Sequence, residues 1–271
     1  MQGSLGEKLG EGAFADVHAW APGRVLKLFK SGFPRRHSWW EARMTRAAAA
    51  SGAPAPAVFE EVTLEGRFGV VLERLDGPTL RQLSRSGAMT RAETGAVLAS
   101  LALSFHRTPS PPDVLSLREV MAGELGLSDG RLPEHIATGI LALIERLSPG
   151  DGLCHGDLHP GNVIMTPDGP RLIDWGSAVR APVAFELAGW HVLLCDFAPE
   201  TADDPERPRA VNAAAQSEYA RLAGIAPAAL AAAMAPYLPI VRVRALLGPA
   251  GSPALRKRLI QSVEADLRSP A

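Results

Sequence analysis

The sequence predicts an α+β fold, in which a small antiparallel β lobe carrying one helix precedes a larger, mainly helical lobe. Two observations lead there. Up to about residue 72 the apolar residues come in short strand-like runs punctuated by Gly and Pro, whereas from Thr79 onward they recur at helical spacing. The change falls in the connector Leu72-Glu73-Arg74-Leu75-Asp76-Gly77, which divides the chain into 1–75 and 76–271. A length of 271 residues is enough for one sizeable core or two modest ones.

In the first part, Leu5 to Leu9 and Val17 to Trp20 read as strands flanking a glycine-containing turn. Ala21-Pro22-Gly23 then turns the chain into a third strand, Val25 to Phe29. A helix from about Ser38 to Ser51 follows, with Trp40, Met44, Ala47 and Ala48 at helical spacing and Gly52 as its stop. Val58 to Leu64 and Phe68 to Leu72 form a hairpin around Glu65-Gly66. In the second part, Thr90-x-x-Glu93 is a capping box opening a helix with Val97, Leu98, Leu101, Ala102 and Phe105 on one side. Ile136, Ile140, Leu143, Ile144 and Leu147 mark another helix. Further helices are predicted near 184–197, 208–223, 227–235, 237–247 and 253–268, with 199–209 as an exposed loop. The exceptions are two short strands, Val163 to Met165 and Arg171 to Ile173, around Pro167-Asp168-Gly169. That hairpin would present Asn162 and Asp174 at adjacent ends.

The formal net charge of −1 gives no electrostatic reason to expect nucleic acid or a membrane surface as partner. Two cysteines, Cys154 and Cys195, make no disulfide framework and show no metal spacing. The first eight residues lack a basic segment and an apolar segment, so no signal peptide is expected. No apolar stretch free of charges and prolines reaches the roughly 18 residues of a membrane span. The expectation is a cytoplasmic protein, a monomer or weak dimer. G-x-S-x-G, H-E-x-x-H and G-x-x-x-x-G-K-[ST] are all missing from the sequence, which removes the hydrolase, zinc-protease and P-loop readings.

The chemistry concentrates in Cys154-His155-Gly156-Asp157-Leu158-His159-Pro160-Gly161-Asn162-Val163-Ile164, followed by Leu172-Ile173-Asp174-Trp175-Gly176. An Asp and an Asn stand five positions apart, with a second Asp a dozen residues later. Phosphoryl transfer needs that set: Asp157 to meet a substrate hydroxyl, and Asn162 and Asp174 to hold magnesium against nucleotide phosphates. The bland alternative is two solvated turns. His155 is read as ordering the loop and His159 as packing beside Pro160. Gly10-Glu11-Gly12-Ala13-Phe14-Ala15-Asp16-Val17 is a glycine-rich turn, in which Gly10 and Gly12 would let backbone N–H groups approach phosphate oxygens. Lys27 lies inside an apolar strand, where a lysine is costly unless paired. It is expected on the nucleotide phosphates with Glu41 as partner, or else pointing outward. Glu41 has a rival role, because Ser38-Trp39-Trp40-Glu41 is itself a capping box. The connector, through Glu73 and Leu75, offers backbone groups to an adenine edge or is a plain linker. Glu186, His191 and Asp196 are expected on a helix face that is solvated or packed, with substrate contact as the alternative.

These two motifs together closely resemble the aminoglycoside phosphotransferase/choline kinase-like family, and the resemblance covers nearly the whole chain. It implies a protein-kinase-like two-lobed fold, with 1–75 binding nucleotide and 76–271 carrying catalysis and substrate. It also implies ATP (or GTP) and Mg2+ as cofactors and a small-molecule hydroxyl as acceptor. By resemblance Asp157 is the catalytic aspartate, and Asn162 and Asp174 are the magnesium ligands. Two departures from the wider kinase pattern stand out. The interval from Asp174 to the next helix is short, which favours a small-molecule substrate. Residues 177–271 hold roughly as many bases as acids, so selectivity for polycationic drugs has no visible electrostatic basis. The rivals are an atypical protein kinase and a catalytically silent nucleotide-binding module.

Overall fold

The computed structural model describes residues 5–128, 130–200, 202–248 and 251–268. Five strands, β1 (Lys8–Glu11), β2 (Ala15–Ala21), β3 (Arg24–Phe29), β4 (Val58–Leu64) and β5 (Arg67–Glu73), form one antiparallel sheet in the order β1-β2-β3-β5-β4. The helix α1 (Arg36–Ala50) connects β3 to β4. Alternation along β3 explains its two faces. Leu26 and Leu28 are buried with Val71 on one side, and Val25 packs with Ala42, Val70 and Leu72 on the side facing α1.

The helical part follows with α2 (Leu80–Ser86), α3 (Arg91–His106), α4 (Leu117–Gly126), α5 (Glu134–Arg146), α6 (Val183–His191), α7 (Glu206–Ala223), α8 (Pro227–Met234), α9 (Leu238–Leu247) and α10 (Pro253–Arg268). Two small antiparallel pairs interrupt it before α6. The strand β6 (Gly152–Cys154) pairs with β9 (Val179–Ala181), and β7 (Val163–Thr166) pairs with β8 (Gly169–Leu172). The main core belongs to this part and centres on Phe105, Trp175, Phe185 and Trp190, all fully buried. Met44, Ala47 and Ala48 of α1 join that core, so α1 is shared between sheet and helices. The run 227–247 has the length and apolarity of a membrane span, yet Pro236 and Pro239 interrupt it and Leu230, Met234, Ile240 and Val243 lie in the core.

Several boundaries differ from expectation. The first strand runs Lys8–Glu11, not Leu5 to Leu9, so Gly10 is a paired strand residue level with Val17 and only Gly12 to Phe14 remain as the turn. The helix α1 starts at Arg36, two residues before Ser38. The expected loop 199–209 gives way to α7 at Glu206, and 192–197 continues α6 as a π-helical segment. The strands β6 and β9, and the helices α2 and α4, were not individually foreseen. Three-residue strands carry no periodicity to read; α2 and α4 do open on capping boxes at Thr79/Gln82 and Ser116/Glu119.

Candidate active site

Lys27 occupies the face of β3 that looks at α1, level with Val17 of β2 and Val70 of β5. Gly10 is level with Val17 in turn, so Gly10 and Lys27 stand in one row separated by a single strand, about 10 Å. The turn beyond Gly10 closes through the Gly12 N–H, which donates to the Ala15 carbonyl at 2.8 Å. Its tip residue Phe14 packs edge-on against Phe33, with ring centroids 5.5 Å apart. The glycine turn and the lysine are thus carried by one rigid sheet.

The Lys27 ammonium lies 3.1 Å from Glu41 of α1 and donates to Asp174 Oδ1 at 2.9 Å. The two rival roles of Glu41 separate here. With α1 beginning at Arg36, Ser38 is already helical and its hydroxyl donates to the Arg35 carbonyl, so no capping box forms and the Glu41 side chain turns inward. Burial alone would lower Lys27, but the charges of Glu41 and Asp174 outweigh it and hold the ammonium above its usual value. Burial pushes Glu41 up, with the Asp174 charge adding to it and Lys27 opposing. Burial acts in the same sense on Asp174, and there Lys27 wins and keeps the carboxyl low. Asp174 is left-handed (φ 68°), a conformation that costs about 1–3 kcal/mol and is typical of functional sites. The side chain stays 47% exposed.

The loop from His155 to Asn162 is held from beneath. The Asp157 N–H donates to His155 Nδ1 at 3.2 Å, so the proton sits on Nε2, which donates to the Ile173 carbonyl at 3.0 Å. His155 is buried and neutral: burial lowers it, and it orders the loop without exchanging protons. The carboxylate of Glu186 on α6 is also buried and accepts the backbone N–H groups of His155 and Gly156. Gly156 is left-handed (φ 77°), and a β-carbon there would fall 2.2 Å from the Ser177 carbonyl oxygen. Asn162 donates from Nδ2 to the Asp157 carbonyl at 2.9 Å and to Asp157 Oδ2 at 3.2 Å. The Ile173 N–H donates to the Asn162 carbonyl at 2.9 Å, tying the Asp174 strand to the same loop. Asp157 is pushed up to about 7 by burial first and the nearby Asp174 charge second.

The connector is occupied differently from expectation. The Glu73 carboxylate accepts from the Ala57 N–H at 3.0 Å and from Arg171 at 3.0 Å, so the side chain is structural. The Glu73 N–H donates to the Ala57 carbonyl and the Arg74 N–H to the Gly23 carbonyl, each at 2.9 Å. Among the described residues the N–H groups of Leu75, Asp76 and Gly77 have no hydrogen-bond partner, so Leu75 is the first of three free donors in the connector.

Other functional groups escaped sequence reasoning. Glu186 is packed, one of its expected placements, but its grip on the His155 loop was not foreseen; its signal was a carboxylate in the middle of the apolar run Val183-Ala184-Phe185-Glu186-Leu187-Ala188. His106, Cys154 and Glu186 lie within 4.8 Å of one another, a cluster no spacing announced. The Glu186 oxygens are spent on the loop, and burial keeps the Cys154 thiol protonated, so the cluster is packing. Asp196 pairs with Arg242 at 3.1 Å, while Arg244 joins Glu124 at 3.1 Å and donates to the Ser177 carbonyl at 3.2 Å.

Residues 14–256 match the profile of the APH group, described as a phosphotransferase enzyme family. The fold is similar to the apo form of a thermostable mutant of aminoglycoside phosphotransferase APH(4)-Ia, at 18% identity and TM-score 0.62 over 99% of this chain and 96% of that one. It is also similar to a putative fructosamine-3-kinase from Haemophilus somnus 129PT (13% identity, TM-score 0.65, 96% and 91% coverage). A third similar structure is the streptomycin-ATP-APH(2")-IIa ternary complex (17% identity, TM-score 0.56, 98% and 93% coverage). At these identities the likeness is one of fold. The serine/threonine-protein kinase AfsK of Streptomyces coelicolor is 33% identical over 93 residues, 34% of this chain. The chain spans about a tenth of the length of the curated AfsK relatives it matches.

Proposed function

The chain belongs to the phosphotransferase enzyme family, and from that premise we propose that it transfers the γ-phosphoryl group of ATP to a hydroxyl of a small molecule, with Mg2+. One observation carries the reading: Lys27, Glu41 and Asp174 meet within 3.1 Å, and the Asp174 strand is bonded to the loop in which Asn162 holds Asp157. The donors left over suit a hard cation. Asn162 spends its amide nitrogen on Asp157 and keeps its oxygen, while Asp174 spends one oxygen on Lys27 and keeps the other. Asn162 and Asp174 would hold magnesium, which when bound neutralises charge on the phosphate oxygens.

The protein groups then divide the work. Lys27 takes the α- and β-phosphate charge, kept in place by Glu41, under the turn at Gly10 and Gly12. Leu75 offers its N–H to the base. Asp157 aligns the acceptor hydroxyl and receives its proton as the oxygen–phosphorus bond forms and the bond to the β–γ bridging oxygen breaks, releasing ADP. The segments before and after the connector correspond to these roles, 1–75 for nucleotide and 76–271 for catalysis and acceptor. Only eight residues separate Asp174 from α6 at Val183, and part of that interval is the strand β9. So short a segment supports a small-molecule acceptor over a protein one. A cytoplasmic location agrees with this chemistry, since ATP is its donor.

Asp157→Asn tests the assignment. Turnover should fall by about 10² to 10⁴, measured as ADP release across a panel of aminoglycosides, macrolides, choline, amino alcohols and sugars, with Mg-ATP binding retained. Wild-type turnover in that variant would remove Asp157 from the chemistry. Label from ATP appearing in proteins of a lysate, not in its metabolites, would favour the protein-kinase reading.

A further inference from the structure

We propose that Arg81 is a further catalytic residue, a guanidinium that contacts the oxygens of the phosphoryl group during transfer. This rests on the phosphotransferase reading above. Arg81 follows Leu80 at the start of α2, where the capping box of Thr79 and Gln82 sets the helix direction. Its N–H donates to the Pro160 carbonyl at 2.9 Å, and its Nη2 lies 3.1 Å from His159 Nδ1. The guanidinium lies against Gly161: a β-carbon on that residue would fall 2.5 Å from Nη2 and 2.6 Å from Cζ. Backbone and side chain both fasten Arg81 to the loop that carries Asp157.

His159 cannot supply positive charge here. Its Nδ1 accepts from the Gly161 N–H at 3.0 Å and from Arg81, so the proton sits on Nε2, 3.8 Å from Asp157 Oδ2. Arg81 and Asp157 therefore stand at opposite edges of one neutral imidazole.

The nearby cations are otherwise engaged. Lys27 is shared by Glu41 and Asp174, Arg244 by Glu124, Arg171 by Glu73, and Arg85 by Asp203. Among the described residues Arg81 alone of this group is in no ion pair. A guanidinium has five N–H donors in a planar fork, and Arg81 spends one on His159. The remaining donors match two oxygens of a phosphoryl group, whose equatorial oxygens carry the charge in the transition state. An arginine supplied in cis is an established way of stabilising that charge.

Calorimetric titration of the intact chain tests this without knowledge of the acceptor. Mg-ADP is titrated alone and with tetrafluoroaluminate, which mimics the group in flight. Wild type should gain affinity with tetrafluoroaluminate. Arg81→Ala should bind Mg-ADP within about twofold of wild type and lose at least about tenfold of the fluoride-dependent gain. Arg81→Lys, a point charge without the fork, should retain part of it. Arg81→Gln serves in place of the alanine variant if circular dichroism shows the latter misfolded. A full gain in the alanine or glutamine variant overturns the proposal. So does an equal loss for Mg-ADP alone, or no gain in wild type. Failure of wild type to bind Mg-ADP at all overturns the phosphotransferase reading as well, which keeps the two failures apart.

Discussion

Two clusters of opposite charges decorate the same β sheet, one on its outer surface and one in the cleft. On the outside, Lys8 meets Glu11 at 2.7 Å and Asp16 at 3.0 Å, Lys30 meets Glu11 at 3.3 Å, and Arg67 meets Asp16 at 3.2 Å. In the cleft, Lys27 meets Glu41 at 3.1 Å and Asp174 at 2.9 Å. The distances overlap; the surroundings differ. The outer side chains of Lys8 and Glu11 are 43% and 61% exposed, those of Lys27 and Glu41 only 15% and 5%. The same charges interact about four times more strongly near a protein's partly dry regions than in bulk water. Desolvation there also makes each unpaired member expensive. Proximity of opposite charges is therefore no guide to importance, and burial is.

The largest test of that contrast is Lys27→Met, which leaves the buried Glu41 carboxylate and the half-exposed Asp174 with no cation between them. It should destabilise the fold by about 3 kcal/mol in urea unfolding and abolish Mg-ATP binding. Adding Glu41→Met should restore most of the stability and none of the affinity. An unchanged midpoint in the single variant would erase the difference between the clusters. Next comes Glu186→Gln, which puts an amide donor against the His155 and Gly156 N–H groups. About 1–3 kcal/mol of stability should be lost, read by the same unfolding curves, together with turnover.

Asp157→Asn gives a smaller effect with a defined pH dependence. The folded-state value of Asp157, about 7, lies above its ordinary 3.8. Its favourable contribution is therefore complete below pH 3.8 and is lost as pH rises through 7. In metal-free buffer the asparagine variant should melt above wild type at pH 8 and level with it near pH 4, with thermal scans as the measurement. Smallest of all is Lys8→Ala, for which no change in melting temperature is expected at physiological salt. A fall comparable to that of Lys27→Met would show the outer cluster to be structural.

Much of this molecule was legible in its spacing. The capping box at Thr90 and Glu93 opens α3 where expected. The Glu65-Gly66 hairpin joins β4 to β5, with Glu65 left-handed (φ 52°). Asn162 and Asp174 were visible because the hairpin of β7 and β8 brings them to adjacent ends, and Asp157 because it stands five positions before Asn162, both local arrangements. Glu41 was half legible, its residue type and helix seen but its partner undecided until the true helix start was known. Arg81, the loop-holding role of Glu186 and the loop-facing role of Arg244 were illegible, because each acts on a segment 30 or more positions away. The strands β6 and β9 were missed because three residues form a strand only when a distant partner pairs with them.

The five-stranded sheet with its one helix, the capped start of α3 and the strand pair β7–β8 followed from the sequence alone. Propensity, capping and alternation act between neighbours a few positions apart, and a string of residues records them directly. Packing decided the rest. It turned Lys27 toward α1, seated Glu186 beneath the His155 loop, and laid the Arg81 guanidinium on Gly161. Those contacts depend on which buried surfaces meet when the whole chain closes, and that is a property of the assembled core, not of any segment read in isolation.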